Sequence, residues 1–158
     1  MVPKQLSKKE LEKIRSSRKV RRELARISHF WFFSIYLAEY ISYPFAPFHY
    51  DIFQITEDED TGFAIIVAFR DSGKSTLITL SYTIWAIIGT LNKKFVLILS
   101  QTQAQARNHL ANIRKELETN DLLKRDIGPF REETDEWGAT TLVLSNYNAR
   151  IMIASSEQ

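Results

Sequence analysis

The chain has 158 residues, 44% of them hydrophobic and 25% charged, with no cysteine and a net charge of +2. That length makes one domain, or one and part of a second, and the composition excludes a disordered or fibrous chain. Without cysteine there are no disulfides and no thiolate metal centres, which fits a reducing cytoplasm.

The net charge hides an asymmetry. Residues 1–26 carry ten cations (Lys4, Lys8, Lys9, Lys13, Arg15, Arg18, Lys19, Arg21, Arg22 and Arg26) against Glu10, Glu12 and Glu23, so the arm is +7 and the rest −5. A basic arm on a mildly acidic body suits contact with a polyanion; a solvated helix face accounts for the same charges. Ser7-Lys8-Lys9-Glu10 is a capping-box pattern and predicts a helix from there to about residue 26. The aromatic stretch FWFFSIYLAEYISYPFAPF, residues 30–48, continues it as a helix over 28–41 stopped by Pro44. Basic residues before apolar ones also resemble a signal anchor. Here Glu39, Pro44 and Pro47 interrupt the stretch short of the ~20 apolar residues a spanning helix needs, so no membrane role is expected. The basic region is also too long for a cleavable signal peptide.

SYPFAPFHYDIFQI, residues 42–55, reads as an irregular connector leading into a short helix, and the acidic TEDEDTG closes it at Gly62. FAIIVAF, residues 63–69, is a continuous apolar run of strand length, the pattern of a strand covered on both faces in a parallel sheet. After a short loop, STLITLSYTIWAII is apolar almost all round and ends at Gly89, a helix stop. KFVLILS, residues 94–100, predicts a second buried strand. In QTQAQARNHLANIRKELETN, Ala106, Leu110, Ile113 and Leu117 fall on one helical face. RDIGPFREETDEWGA, residues 125–139, reads as a charged loop, and TTLVLSNYNARIMIA as two short strands joined by an Asn-rich turn. Strand, loop, helix, strand, helix is the order of an α/β protein.

The loop AFRDSGKST, residues 68–76, carries the chemistry. A phosphate-binding loop is written G-x-x-x-x-G-K-[ST] between a strand and a helix, and Gly73, Lys74 and Ser75 match its second half. Gly73 lets backbone N–H groups turn around phosphates, and the helix start adds partial positive charge. Lys74 is placed to reach the β- and γ-phosphates, Ser75 to give a hydroxyl to Mg²⁺, and Thr76 to donate to the α-phosphate. Ala68 stands where the first Gly is usual, and Asp71 brings a carboxylate that must point outward. The nucleotide site on this reading is Ala68, Phe69, Arg70, Asp71, Ser72, Gly73, Lys74, Ser75 and Thr76, with ATP and Mg²⁺ as cofactors.

Arg-x-x-Gly-Lys-Ser-Thr from Arg70 to Thr76, with its departed first Gly, resembles the large subunit of tailed-phage terminases, the DNA-packaging motor ATPase. PFAPFHYDIF upstream, VLILSQTQAQARNHLANIRKELETN and the hairpin WGATTLVLSNYNARIMIA are similar to successive parts of that ATPase domain, from about residue 40 onward. The resemblance implies an incomplete RecA-like (ASCE) P-loop NTPase sheet, with a helical arm over residues 1–48 and the N-terminal portion of the ATPase domain over 49–158. It gives Arg70 a place near the γ-phosphate beside Lys74 as a catalytic cation; a salt bridge to Asp71 or to the acidic turn is the alternative. It sets Gln54, with His49, near the adenine end, where packing or surface positions serve equally well. His29 and His109 read as structural.

Such an ATPase also needs an apolar strand ending in two carboxylates, one for Mg²⁺ and one to orient water. The apolar runs here end AFRD, ILSQT, VLSN and MIAS, and EDED at 57–60 precedes the loop. The chain is therefore expected to bind nucleotide without turning it over alone, and to precede the carboxylate (Walker B) strand. The resemblance implies that two later strands, the carboxylate strand among them, lie between the two apolar strands, so these are expected to lack those neighbours and to leave the chain prone to association. By resemblance the partners are double-stranded DNA, a terminase small subunit, the portal and further copies in a ring, in the host cytoplasm. Two other readings are the first domain of a superfamily-two helicase and a DNA-binding adaptor with a vestigial loop.

Overall fold

The computed structural model describes residues 7–131 and 137–157; the expectations for Lys4, residues 132–136 and Gln158 lie outside the described residues. The capping box forms as written. The Ser7 hydroxyl accepts from the Glu10 N–H at 3.3 Å, and the Glu10 carboxylate accepts from the Ser7 N–H at 2.8 Å, opening α1 (Lys8–Ser16). The predicted single helix is in fact two. Ser17 takes an extended conformation, and its hydroxyl accepts from the Val20 N–H, starting α2 (Arg18–Ile27). A second serine cap follows, Ser28 accepting from Trp31 N–H, and opens α3 (His29–Tyr36). This helix ends well before Pro44, running into a 3₁₀ turn over Ala38–Tyr40.

Pro47 then occupies the first turn of α4 (Pro47–Glu57), where its missing N–H costs nothing. The acidic turn folds on itself, Asp58 accepting from the Thr61 hydroxyl at 2.7 Å. The loop helix opens in α form at Lys74 and Ser75, widens into a π-helical segment over Thr76–Tyr82 and tightens again into α5 (Thr83–Ile88). β1 (Phe95–Ser100), α6 (Gln103–Thr119) and α7 (Asp121–Asp126) follow. β2 (Thr141–Leu144) and β3 (Ala149–Ser155) then form the expected antiparallel hairpin.

The fold is mixed α/β, with one three-stranded sheet among the described residues, ordered β1-β3-β2. β1 runs parallel to β3, Phe95 opposite Arg150 through Ser100 opposite Ser155. All four predicted core positions of α6 are buried against this sheet. The strand expected at residues 63–69 is not one. It pairs with no described strand, and Phe63, Ile65, Val67 and Phe69 are 83%, 75%, 89% and 69% exposed. Among the described residues β1 is an edge strand, paired on one side only. Phe95, Leu97 and Leu99 of β1 are exposed as well. The parallel sheet anticipated for the chain is thus reduced to one parallel pair.

One buried core runs from α3, α4 and the loop helix through α6 to β2 and β3. Trp85 is fully buried and its indole N–H donates to the Ala25 carbonyl at 2.8 Å. His29 is buried beside it, stacked at 5.3 Å, its ring nitrogens 2.7 Å from the Thr56 hydroxyl and 2.8 Å from that of Ser81. Burial pushes the imidazole down to about 3. The unfolded ring takes up a proton near pH 6.5 and the folded one does not, so this contribution is complete above 6.5 and is lost as pH falls toward 3. Stability should fall by up to about 1.4 kcal/mol per pH unit from this residue. Denaturant unfolding of wild type and His29→Gln between pH 7 and 5, above the carboxylate range, measures it. Equal slopes in the two proteins would refute the assignment.

The arm is fastened to the body rather than free. The Arg21 guanidinium grips the buried Asp126 carboxylate at 2.6 and 3.0 Å, and the Tyr36 hydroxyl donates to the same carboxylate at 3.3 Å. Burial alone would raise Asp126, but the hydrogen bonds and charge of Arg21, with Tyr36 and Arg125, hold it below the usual carboxylate range. Arg18 adds bonds to the Asp126 carbonyl. Lys8, Lys9, Lys13, Arg15, Lys19, Arg22 and Arg26 remain exposed.

Candidate nucleotide-binding site

Residues 68–76 form a turn that feeds directly into the buried loop helix, whose Leu77, Leu80, Ile84 and Trp85 hold it in the core. Gly73 has φ 75°, a left-handed conformation that glycine takes without strain. Asp71 has φ 62°, which aspartate tolerates better than most residues, and is exposed. Ala68 is not among the positive-φ positions, so the missing first Gly costs no strain. The Leu77 N–H donates to the Gly73 carbonyl at 2.9 Å and closes the first turn. The N–H groups before it belong to a helix start, which has no internal acceptors for them.

Lys74 is half-buried at the head of this helix, its Nζ 3.5 Å from the Ala68 carbonyl across the loop. Ser75 is exposed and Thr76 half-buried beside it. Arg70 is exposed and makes no ion pair among the described residues, so the alternative bridge to Asp71 or to the acidic turn does not form. Phe69 stacks edge-on against Phe48 at 5.6 Å and so ties the loop to α4.

A cleft of about 280 Å³ opens beside the loop, between Asp71, Ser72, Gly73 and Thr76 on one side and Tyr40, Tyr43, Phe45 and His49 on the other. It is a little under the ~300–1,000 Å³ of typical small-molecule sites and has their mixture of aromatic wall and few polar groups. His49 belongs to this cleft, whereas Gln54 lies exposed on α4 and does not line it. A second cleft, about 340 Å³, lies on the other side of the loop helix, where Ser75, Thr76 and Thr79 face His109, Asn112 and Lys115 of α6. Burial lowers the His109 imidazole.

The structure therefore gathers residues 68–76 in one turn and adds His49, Tyr43 and Lys115. Sequence reading passed over Tyr43 and Lys115; only a clustering across three elements marks them. The residues present suit the phosphates of a nucleotide: a left-handed glycine, unpaired helix-start N–H groups, a lysine across the loop and a hydroxyl for a metal. For Mg²⁺ they supply Ser75 alone, a site that phosphate oxygens and water would have to complete. Among the described residues no three His, Asp or Glu side chains converge, and no strand ends in paired carboxylates. No helix among them is long and apolar enough to cross a membrane. Set against protein-family models, curated proteins and solved structures, the chain matches none of them.

Proposed function

We propose that the chain is the ATP-binding part of a terminase-like large subunit, the motor that drives viral DNA into a capsid. The observation that carries the nucleotide half of this reading is the placement of Lys74. It sits at the head of a buried helix, directly after a left-handed Gly73, with its amine held across the loop. Backbone N–H groups, the helix start and Lys74 hold the β- and γ-phosphates, and Ser75 gives its hydroxyl to Mg²⁺. The metal, when bound, neutralises phosphate charge. Thr76 serves the α-phosphate, and Tyr43 and Phe45 offer the base a stacking wall in the adjoining cleft.

Arg70 extends into solvent beside the loop and is free to meet the γ-phosphate. The terminase half of the reading rests on the order of motifs, with a RecA-like sheet that pairs residues 63–69 with further strands. Exposed cations on α1 and α2 suit contact with double-stranded DNA through its phosphates, without reading bases. A small subunit, a portal and further copies in a ring complete the assembly on this reading.

The direct test is competition. A fluorescent ATP analogue bound to the purified protein with Mg²⁺ should be displaced by ATP, ADP and pyrophosphate but not by adenosine, because the phosphates carry the recognition. Displacement by adenosine alone, or no saturable binding, would end the phosphate-loop reading. Binding abolished by moderate salt and indifferent to ATP would favour the DNA-binding adaptor instead.

A further inference from the structure

His49 makes two hydrogen bonds that together assign its role. The Ala46 N–H donates to its Nδ1 at 3.0 Å, so the ring proton resides on Nε2. Nε2–H in turn donates to the Ser72 carbonyl at 2.9 Å, across 23 residues of sequence. The ring is fixed in place by Phe48 at 4.0 Å and by Phe45, edge-on, at 5.8 Å. It also stands over Gly73, where a Cβ would lie 4.0 Å from Nε2.

In a trans peptide the carbonyl oxygen and the following N–H point in opposite directions. Holding the Ser72 oxygen toward His49 therefore turns the Gly73 N–H away from it. That N–H donates to no other group among the described residues. We propose that His49 is a positioning residue for the phosphate-binding loop. Its Nε2–H sets the plane of the Ser72–Gly73 peptide and so presents the Gly73 N–H to the phosphates. The role rests on the nucleotide reading above. It differs from a contact with adenine, because His49 spends both ring nitrogens within the protein. The same imidazole ties the start of α4 to the loop, so the aromatic wall of the cleft and the phosphate cradle keep one spacing.

The test compares three proteins with wild type by titrating the fluorescent ATP analogue with Mg²⁺. His49→Phe keeps the ring packing and removes the donor, and should weaken binding roughly three- to tenfold, the effect of one hydrogen bond. His49→Gln places an amide N–H near the Nε2 position and should recover most of the loss. Lys74→Ala separates the two claims. If wild type does not bind, or Lys74→Ala binds equally well, the nucleotide reading itself fails. If binding depends on Lys74 but His49→Phe matches wild type, or His49→Gln is no better than His49→Phe, the positioning role is overturned and the site stands. Should His49→Phe not fold, ¹⁵N spectra of the wild-type imidazole decide. A proton on Nε2 and a signal that moves with nucleotide support the role; a proton on Nδ1, or no response, overturns it.

Discussion

Replacing Lys74 by alanine should weaken binding of Mg²⁺ and ATP by roughly 10- to 150-fold, because a hydrogen bond to a charged group is worth about 1.5–3 kcal/mol. Among the described residues the amine is the one side-chain cation at the head of the loop helix, and its hydrogen-bond partner there is the Ala68 carbonyl at 3.5 Å. Such a long contact contributes little to folding, so stability should change by no more than about 0.5 kcal/mol. The pairing of a large affinity loss with an unchanged melting temperature is what distinguishes a ligand-binding lysine from a structural one. Calorimetric titration and thermal unfolding on the same two proteins measure both. Equal affinities would remove the loop from the account.

The second large effect is on stability and comes from the arm. Asp126→Ala should cost about 3–5 kcal/mol, since it leaves the Arg21 guanidinium buried without its charge partner. At this chain length each kcal/mol lowers the melting temperature by about 2–4 °C. The Tyr36 hydroxyl loses its acceptor in the same change. Replacing both partners, as Arg21→Met with Asp126→Leu, should recover much of the loss, because the desolvation of two charges disappears with them. Acid has the same effect as the single change. With the Asp126 carboxyl held below its usual range, its contribution persists above about pH 4 and is lost as pH falls through the folded value. A loss under 1 kcal/mol for Asp126→Ala would mean that α2 is not anchored through this pair.

These two predictions draw on opposite kinds of information. The role proposed for Lys74 is read from nine consecutive residues, because a phosphate loop is a local device: a glycine, a cation and a hydroxyl at fixed spacing before a helix. Local signals were enough for the Ser7 capping box, the four core positions of α6 and the hairpin of β2 and β3, all of which form. The break at Ser17 is local too, yet helix propensity on either side hides it, and only the serine cap shows where one helix stops.

The pairings of Asp126 with Arg21 and of His49 with Ser72 are invisible at that level. Arg21 lies 105 residues from Asp126, and His49 lies 23 from Ser72, so no spacing rule connects them. Residues 63–69 show a different limit. Their apolarity states what the segment requires, a partner on each edge and a cover on its faces, but not which residues supply them. Among the described residues no strand pairs with it, and although Ile66 packs against the core and Phe69 meets Phe48, Phe63, Ile65, Val67 and Phe69 stay exposed where a run covered on both faces is expected. The open edge of β1, where Phe95, Leu97 and Leu99 are exposed, is a place for association with another strand. The π-helical stretch Thr76–Tyr82 within the loop helix has no signal in the sequence either, since apolar side chains all round leave the helical period undefined.

The central claim is that the turn from Arg70 to Thr76 holds the phosphates of a nucleotide, and amide-resolved NMR tests it most directly. Titrating the ¹⁵N-labelled protein with a non-hydrolysable ATP analogue and Mg²⁺ should shift the amides of residues 70–76, Gly73 and Lys74 most, together with the His49 ring. Pyrophosphate should move the same loop signals without those of Tyr43 and Phe45. Shifts confined to the basic helices α1 and α2, or a loop that stays silent at saturating nucleotide, would contradict the account.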